Sequence, residues 1–169
     1  MKAITLWQPW ASLWACGMKQ YETRSWATSY RGPIAIHAAK KPFDTDTYFD
    51  RELHPFANAL NLKNIYSFDE LPYGCIIATA ELVDCHKMVR DEYNVFRIED
   101  KVISYKELIF GEWAPGRYAW EIANVKMLDN PIPASGKQGL WNWDDMGISA
   151  KAQKDIDEMF AEEGEENGK

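Results

Sequence analysis

Apolar and polar residues alternate in short runs along the chain, and Gly or Pro separates most of these runs. Ala3 to Leu6 has the pattern of a short strand, and Pro9 then suits the first turn of a helix that runs to Cys16. Gly17 is a typical end for this helix because glycine readily adopts the left-handed conformation. Further strands are predicted over residues 21–26, 34–38, 75–85 and 117–125.

Helical spacing of apolar residues is weaker than the strand pattern in the rest of the chain. It predicts a helix within residues 45–62 and one helical turn over 105–110. A terminal helix is predicted over 150–161, where Ser149 is a suitable N-cap. Short strands with few helices are typical of a mainly β protein with peripheral helices, an α+β barrel.

Length and composition indicate a single globular domain. The chain has 169 residues, of which 46% are hydrophobic and 27% charged, and this composition excludes wholesale disorder. No repeat or long linker divides it, so we predict one domain over residues 1–148, followed by a C-terminal helix and acidic tail over 149–169. Pro131 and Pro133 are expected to end the strand that begins at residue 117.

Tryptophan is unusually frequent. Four of the eight tryptophans lie between Trp7 and Trp26. Such rings either pack in the core or form surfaces on which nucleic-acid bases stack, and the sequence leaves both readings open.

Charge is distributed unevenly along the chain, which carries a net −7. Residues 1–42 hold six Lys and Arg against one Glu, a net of +5, whereas residues 151–169 hold three Lys against seven acidic residues, a net of −4. A local basic surface can attract phosphate while the rest of the molecule stays acidic. Lysines and arginines scattered over a solvated face would give the same count.

Cysteine and histidine spacing supports no disulfide framework and no metal site. Cys16, Cys75 and Cys85 form no C-x-x-C pair, and Cys85 and His86 would point to opposite faces of a strand. The apolar N-terminal run is interrupted by Lys2, Gln8 and Pro9, so neither a signal peptide nor a membrane span is predicted. We expect a reduced, cytoplasmic protein without a cofactor.

The octet GMKQYETR, residues 17–24, combines an acid with two bases directly after the first helix. If residues 21–26 form a strand, Glu22, Arg24 and Trp26 share one face. Lys19 in the preceding turn is near enough to join them.

This octet has the form G-x-K-x-x-E-x-R, and its context is equally specific. QPWAS precedes it, RSW and an RG turn follow, and AKKP ends the segment at residue 42. The run resembles the ASCH domain family, its eukaryotic members in particular. YGCIIATAELVDC is similar to the next strand of the family, and GEWAPGRYAWEI to bacterial and phage members.

The resemblance implies a PUA-like β-barrel with a cleft between barrel strands and the first helix, lined by the octet. It implies binding of RNA, other single-stranded nucleic acid or a modified nucleoside. Some small bacterial members are amidohydrolases that remove acyl groups from cytidine, and others have been described as ribonucleases. The amidohydrolases carry a threonine, their supposed nucleophile, where this chain has Glu22.

Lys19 suits two roles. It could contact phosphate as a point charge, or act as a base or nucleophile if its charge is suppressed in the cleft. Glu22 beside it favours the charged form, and so binding over catalysis. Whether the protein is an enzyme stays open; if it is, Lys19 and Glu22 are the catalytic candidates. A purely structural ion cluster that holds the helix to the barrel is the alternative to both roles.

Residues 135–139 are expected to form a flexible rim loop, with Trp141 beneath Lys137. This loop lacks the spacing of a P-loop. The candidate nucleic-acid-binding residues are Lys19, Glu22, Arg24, Trp26, Trp7, Trp10, Arg31, Lys40, Tyr118 and Lys137. A protein-interaction module, with a partner bound by the acidic C-terminal helix, is a third functional possibility.

Overall fold

Strands dominate the fold, as the residue pattern predicts. The computed structural model describes residues 1–43 and 50–143. The strands are β1 (Lys2–Leu6), β2 (Tyr21–Arg24), β3 (Gly32–Ala38), β4 (Cys75–Lys87), β5 (Val89–Arg90), β6 (Phe96–Ile98), β7 (Lys101–Val102), β8 (Tyr118–Pro133) and β9 (Leu140–Asn142). The helices are α1 (Trp10–Ala15), α2 (Asp50–Asn61) and α3 (Tyr105–Phe110), with a 3-10 turn at Phe68–Glu70.

Six strands form a curled sheet in the order β2-β8-β4-β3-β1-β9, and β5, β6 and β7 form a small second sheet. β1 and β3 run parallel, whereas the other neighbours in the large sheet are antiparallel. The register between β4 and β8 shifts at three places, and such irregularities bend and twist a strand pair. The resulting half-barrel with peripheral helices confirms the predicted α+β barrel class.

Two fully buried tryptophans organise the main core and also hold the octet. Trp14 projects from α1 and Trp120 from β8 into one cluster of buried apolar side chains. The indole N–H of Trp14 donates to the carbonyl of Gln20 at 3.2 Å, and that of Trp120 to the carbonyl of Trp26 at 3.3 Å. The backbone is therefore fixed on both sides of Glu22 and Arg24.

Local hydrogen bonds explain how α1 begins and ends. The buried side chain of Gln8 accepts from the N–H of Ser12 at 3.1 Å and donates to the carbonyl of Pro72 at 2.8 Å. At the other end Gly17 has a φ of 72°, and the N–H of Lys19 donates to the carbonyl of Leu13 at 3.0 Å. The end of the helix therefore fixes the backbone position of Lys19.

Glu107 in α3 secures the start of β2 from another direction. Its buried carboxylate accepts from the backbone N–H of Gln20 at 2.7 Å and of Tyr21 at 3.3 Å. The N-cap Ser104 accepts from the N–H of Glu107 at 3.3 Å, which stabilises α3 itself.

The structure corrects two predicted strand ends. β8 continues beyond the predicted residue 125 and through Pro131, and it ends only at Pro133. β2 pairs only with residues 118–121 of β8, so the far part of β8 has one partner, β4, and a proline without N–H is tolerated on the unpaired side. β2 ends at Arg24 rather than at Trp26.

Two predicted helices extend beyond the described residues. α2 occupies the later part of the predicted helix 45–62, of which residues 45–49 lie outside the described residues. The predicted terminal helix and acidic tail also lie outside them. Each helix in the described ranges is too short to cross a bilayer, the longest, α2, having 12 residues.

We expect Glu107→Ala to lower the free energy of unfolding by about 2 to 3 kcal/mol, because two N–H groups would lose a charged acceptor. Urea denaturation measures this. Glu92→Ala, which removes an exposed carboxylate, is the matched control and should change stability by less than about 0.5 kcal/mol. Equal effects of the two substitutions would show that Glu107 does not hold β2.

Candidate functional site

A cleft of about 1000 Å³ opens where the octet meets three other parts of the chain. β2 and Lys19 contribute one wall, and Thr5 to Trp7 at the end of β1 another. Residues 110–112 at the end of α3 and residues 136–139 before β9 also line it, together with Trp10, Trp26 and Arg117. Side chains from distant segments therefore meet around the octet.

Lys19, Glu22 and Arg24 form one ion cluster in the cleft. The Nζ of Lys19 contacts the Oε2 of Glu22, and the Nε of Arg24 lies 3.2 Å from the Oε1 of Glu22. The exposed fraction of the side chain is 1% for Lys19, 10% for Glu22 and 25% for Arg24. One shielded carboxylate thus faces two cations, which leaves the cluster with a net positive charge.

Arg24 has hydrogen-bonding capacity left over. Its Nη2 donates to the carbonyl of Thr5 at 3.1 Å, which ties β2 to β1. Its Nε is buried and makes no aligned hydrogen bond, although it lies close to Glu22. A guanidinium has five N–H donors in a planar fork, so Arg24 can donate to a further oxygen of a bound molecule.

Other charges around the cleft add to this positive potential. Arg117 and Lys137 line it, as does Glu112, so the charged lining residues comprise four cations and two carboxylates. Arg117 pairs with Glu112 at 3.0 Å between Nη2 and Oε2. The arrangement attracts anions.

Three tryptophans line the cleft but differ in how much ring surface they offer. Trp7 is 58% exposed, and the Nζ of Lys41 lies 5.0 Å from its ring centroid. Trp10 is half-buried, with ring edges of Phe43 and Phe56 against it. Trp26 is half-buried and packs at right angles on Trp120, with 4.6 Å between centroids. Trp7 therefore presents the most accessible ring.

The rim loop rests on a structural histidine. His37 is buried, its Nε2 donates to the carbonyl of Ala134 at 3.0 Å, and burial lowers its pKa below the usual value. The Nε1 of Trp141 donates to the hydroxyl of Thr5 at 3.1 Å beneath the loop. Lys137 in this loop lines the cleft.

Seven of the ten residues singled out by sequence line this cleft, and three do not. Arg31 is paired with Asp84 at 2.6 Å and donates to two backbone carbonyls. Lys40 lines a separate groove. Tyr118 is half-buried, opposite Arg24 in the β2–β8 register.

Several lining residues were missed by sequence reasoning. Thr23 accepts the N–H of Glu112 at 2.9 Å through its hydroxyl, which joins β2 to the segment after α3. Gly111 lies so close that an added Cβ would come within 2.8 Å of Thr23 and Trp113 side-chain atoms. Arg117 had one available signal, its position directly after the Pro115-Gly116 turn. The others depend on contacts between segments far apart in sequence.

Metal-binding capacity lies elsewhere in the described residues. Asp84, His86 and Glu99 offer three ligand atoms within 4.8 Å of one another, and none of them lines the cleft. Carboxylate oxygens of Glu99 and Glu121 lie within hydrogen-bond distance of the two ring nitrogens of His86, at 3.1 and 2.9 Å, so contacts within the protein already account for this cluster.

Comparison with known proteins agrees with this architecture. The family profile of the ASCH domain matches residues 4–132. Over 83 residues the chain is 37% identical to Activating signal cointegrator 1 from Homo sapiens and 35% identical to the Mus musculus protein of that name. The aligned stretch is 48% of this chain but spans only 14% of the length of these relatives. The predicted resemblance is confirmed, and the chain belongs to the ASCH domain family.

Proposed function

We propose that the protein binds single-stranded RNA through the cleft, without chemical turnover. The ASCH family is generally thought to bind RNA. The observation that carries the proposal is the cluster in which two cations share the single carboxylate of Glu22, in the wall of a cleft that is also lined by an exposed tryptophan.

The ion cluster supplies a phosphate contact. Glu22 neutralises one of its two cations, and shielding from water makes the remaining positive charge costly until an anion approaches. Arg24 is the more exposed cation, and its Nη1 makes no hydrogen bond within the described residues, so we assign the direct contact to it. Lys19 keeps Glu22 in place and strengthens the positive potential.

Trp7 supplies a stacking surface. A ring that is 58% exposed loses apolar contact with water when a base covers it, and every base has a face that can stack. Lys41 over the same ring places another cation beside a bound nucleotide. A phosphate contact together with a stacking ring is the usual combination in proteins that bind single strands.

An amidohydrolase or ribonuclease is the alternative within the same cleft. The hydroxyl of Thr23 lines the cleft, but it accepts a backbone hydrogen bond, and Lys19 is held by Glu22. A lysine paired in this way is a poor base or nucleophile. A modified nucleoside as ligand, a protein partner at the acidic C-terminus and a cytoplasmic location stay predictions.

We expect Arg24→Gln to weaken binding of a hexameric RNA about tenfold, and to reduce the slope of log affinity against log salt by roughly 0.7, because one phosphate contact is lost. Fluorescence anisotropy at several salt concentrations measures both. Arg31→Gln is the control, since it removes the same charge outside the cleft, and it should change affinity less than twofold.

Equal weakening by the two variants would mean that general charge, rather than the cleft, attracts RNA.

The same wild-type samples should release no product from acylated cytidine or from RNA when followed by chromatography. Product that forms with wild type and disappears in Lys19→Arg would favour the enzymatic alternative, because a guanidinium does not deprotonate in proteins.

We expect Trp7→Ala to weaken RNA binding by about 1 to 3 kcal/mol through lost stacking, while the thermal midpoint stays unchanged because the ring is exposed. Trp26→Ala is the comparison. Its ring packs on Trp120, so its removal should lower the thermal midpoint as well. If Trp7→Ala binds RNA as wild type does, Trp7 is not the stacking ring.

A further inference from the structure

A second groove, of about 590 Å³, neighbours the cleft. Its lining includes Lys40, Tyr73, Ser135 and Trp141. Two lysines and no acidic side chain occur among the described residues that line it, so its potential is positive. Lys40 was a candidate binding residue from sequence that the cleft does not use.

Two structural links connect the groove with the cleft. Lys137 lines both of them. The adjacent residues Lys40 and Lys41 form the second link, because Lys40 lines the groove while the Nζ of Lys41 lies over the ring of Trp7 in the cleft. Cations are therefore present in both cavities and in the two segments that connect them.

Residues 134–137, which contribute to the lining of both cavities, pack closely against the barrel. Ala134 donates to the carbonyl of Gly74 at 3.0 Å, and its own carbonyl accepts from His37 at 3.0 Å. Gly136 packs so closely that an added Cβ would lie 2.4 Å from the Cε1 of His37 and 2.8 Å from the hydroxyl of Thr5. Glycine at this position therefore lets the segment pack directly against His37 and Thr5, with Lys137 next to it in the lining of both cavities.

We propose that a single strand of RNA continues from the cleft past Gly136 and Lys137 into this groove, where Lys40 contacts a further phosphate. The inference rests on the function proposed above and adds the length of the ligand to it. A strand long enough to enter both cavities would meet cations in each of them, because Arg24 and Lys137 line the cleft and Lys40 and Lys137 line the groove. Single-strand sites on OB-fold barrels cover on the order of 4 to 16 nucleotides.

The test compares two ligand lengths in wild type and in two lysine variants. Binding of a uridine dinucleotide and of octauridylate is measured by NMR titration and by anisotropy for wild type, Lys40→Gln and Lys63→Gln. Lys63 is an exposed lysine that lines neither cavity. We expect Lys40→Gln to weaken the octamer roughly three- to tenfold and to reduce its salt slope by roughly 0.7. The dinucleotide should bind Lys40→Gln as it binds wild type, and Lys63→Gln should bind both as wild type does.

The outcomes distinguish this proposal from the proposed function, RNA binding in the cleft, on which it rests. If wild type binds the octamer no more tightly than the dinucleotide, or if Lys40→Gln and Lys63→Gln are alike, the strand does not use the groove, although RNA binding in the cleft stands. If wild type binds neither ligand, the proposed function fails and the groove loses its role with it. Tighter binding of the matching deoxyoctamer would overturn the assignment to RNA.

Discussion

The sharing of Glu22 by Lys19 and Arg24 is the interaction on which the site depends. A carboxylate with one partner would give a neutral pair, which has little reason to attract phosphate. With two partners the cluster keeps a net positive charge, and its position in the wall of a cleft limits screening by water. The cluster therefore both joins the end of α1 to β2 and attracts an anion.

The surrounding fold holds this cluster through backbone contacts on each side. Trp14 and Trp120 anchor the carbonyls of Gln20 and Trp26, and Glu107 holds the N–H groups at the start of β2. Rigid placement matters because cations that are already fixed lose less conformational entropy when a ligand binds. The buried tryptophans therefore serve the site as well as the core, whereas exposed Trp7 is left for the ligand.

The parts that sequence predicted are those with local signals. Proline, glycine and alternating residues placed β1, α1, β3 and the start of β4, and strand geometry predicted that the cations and Glu22 would meet. Contacts between distant segments left no such signal. The role of Glu107, the close packing at Gly136 and the continuation of β8 through Pro131 all follow from which strands and loops become neighbours. The groove at Lys40 arises in the same way.

Side-chain NMR of isotope-labelled protein tests the central claim most directly, because it observes the Nε–H of Arg24 and the indole N–H of Trp7 separately. On titration with hexauridylate, both resonances should shift in a saturable manner with a common affinity, while the indole N–H of buried Trp14 stays in place. Saturable binding that moves neither Arg24 nor Trp7 would contradict the assignment of this cleft as the RNA site.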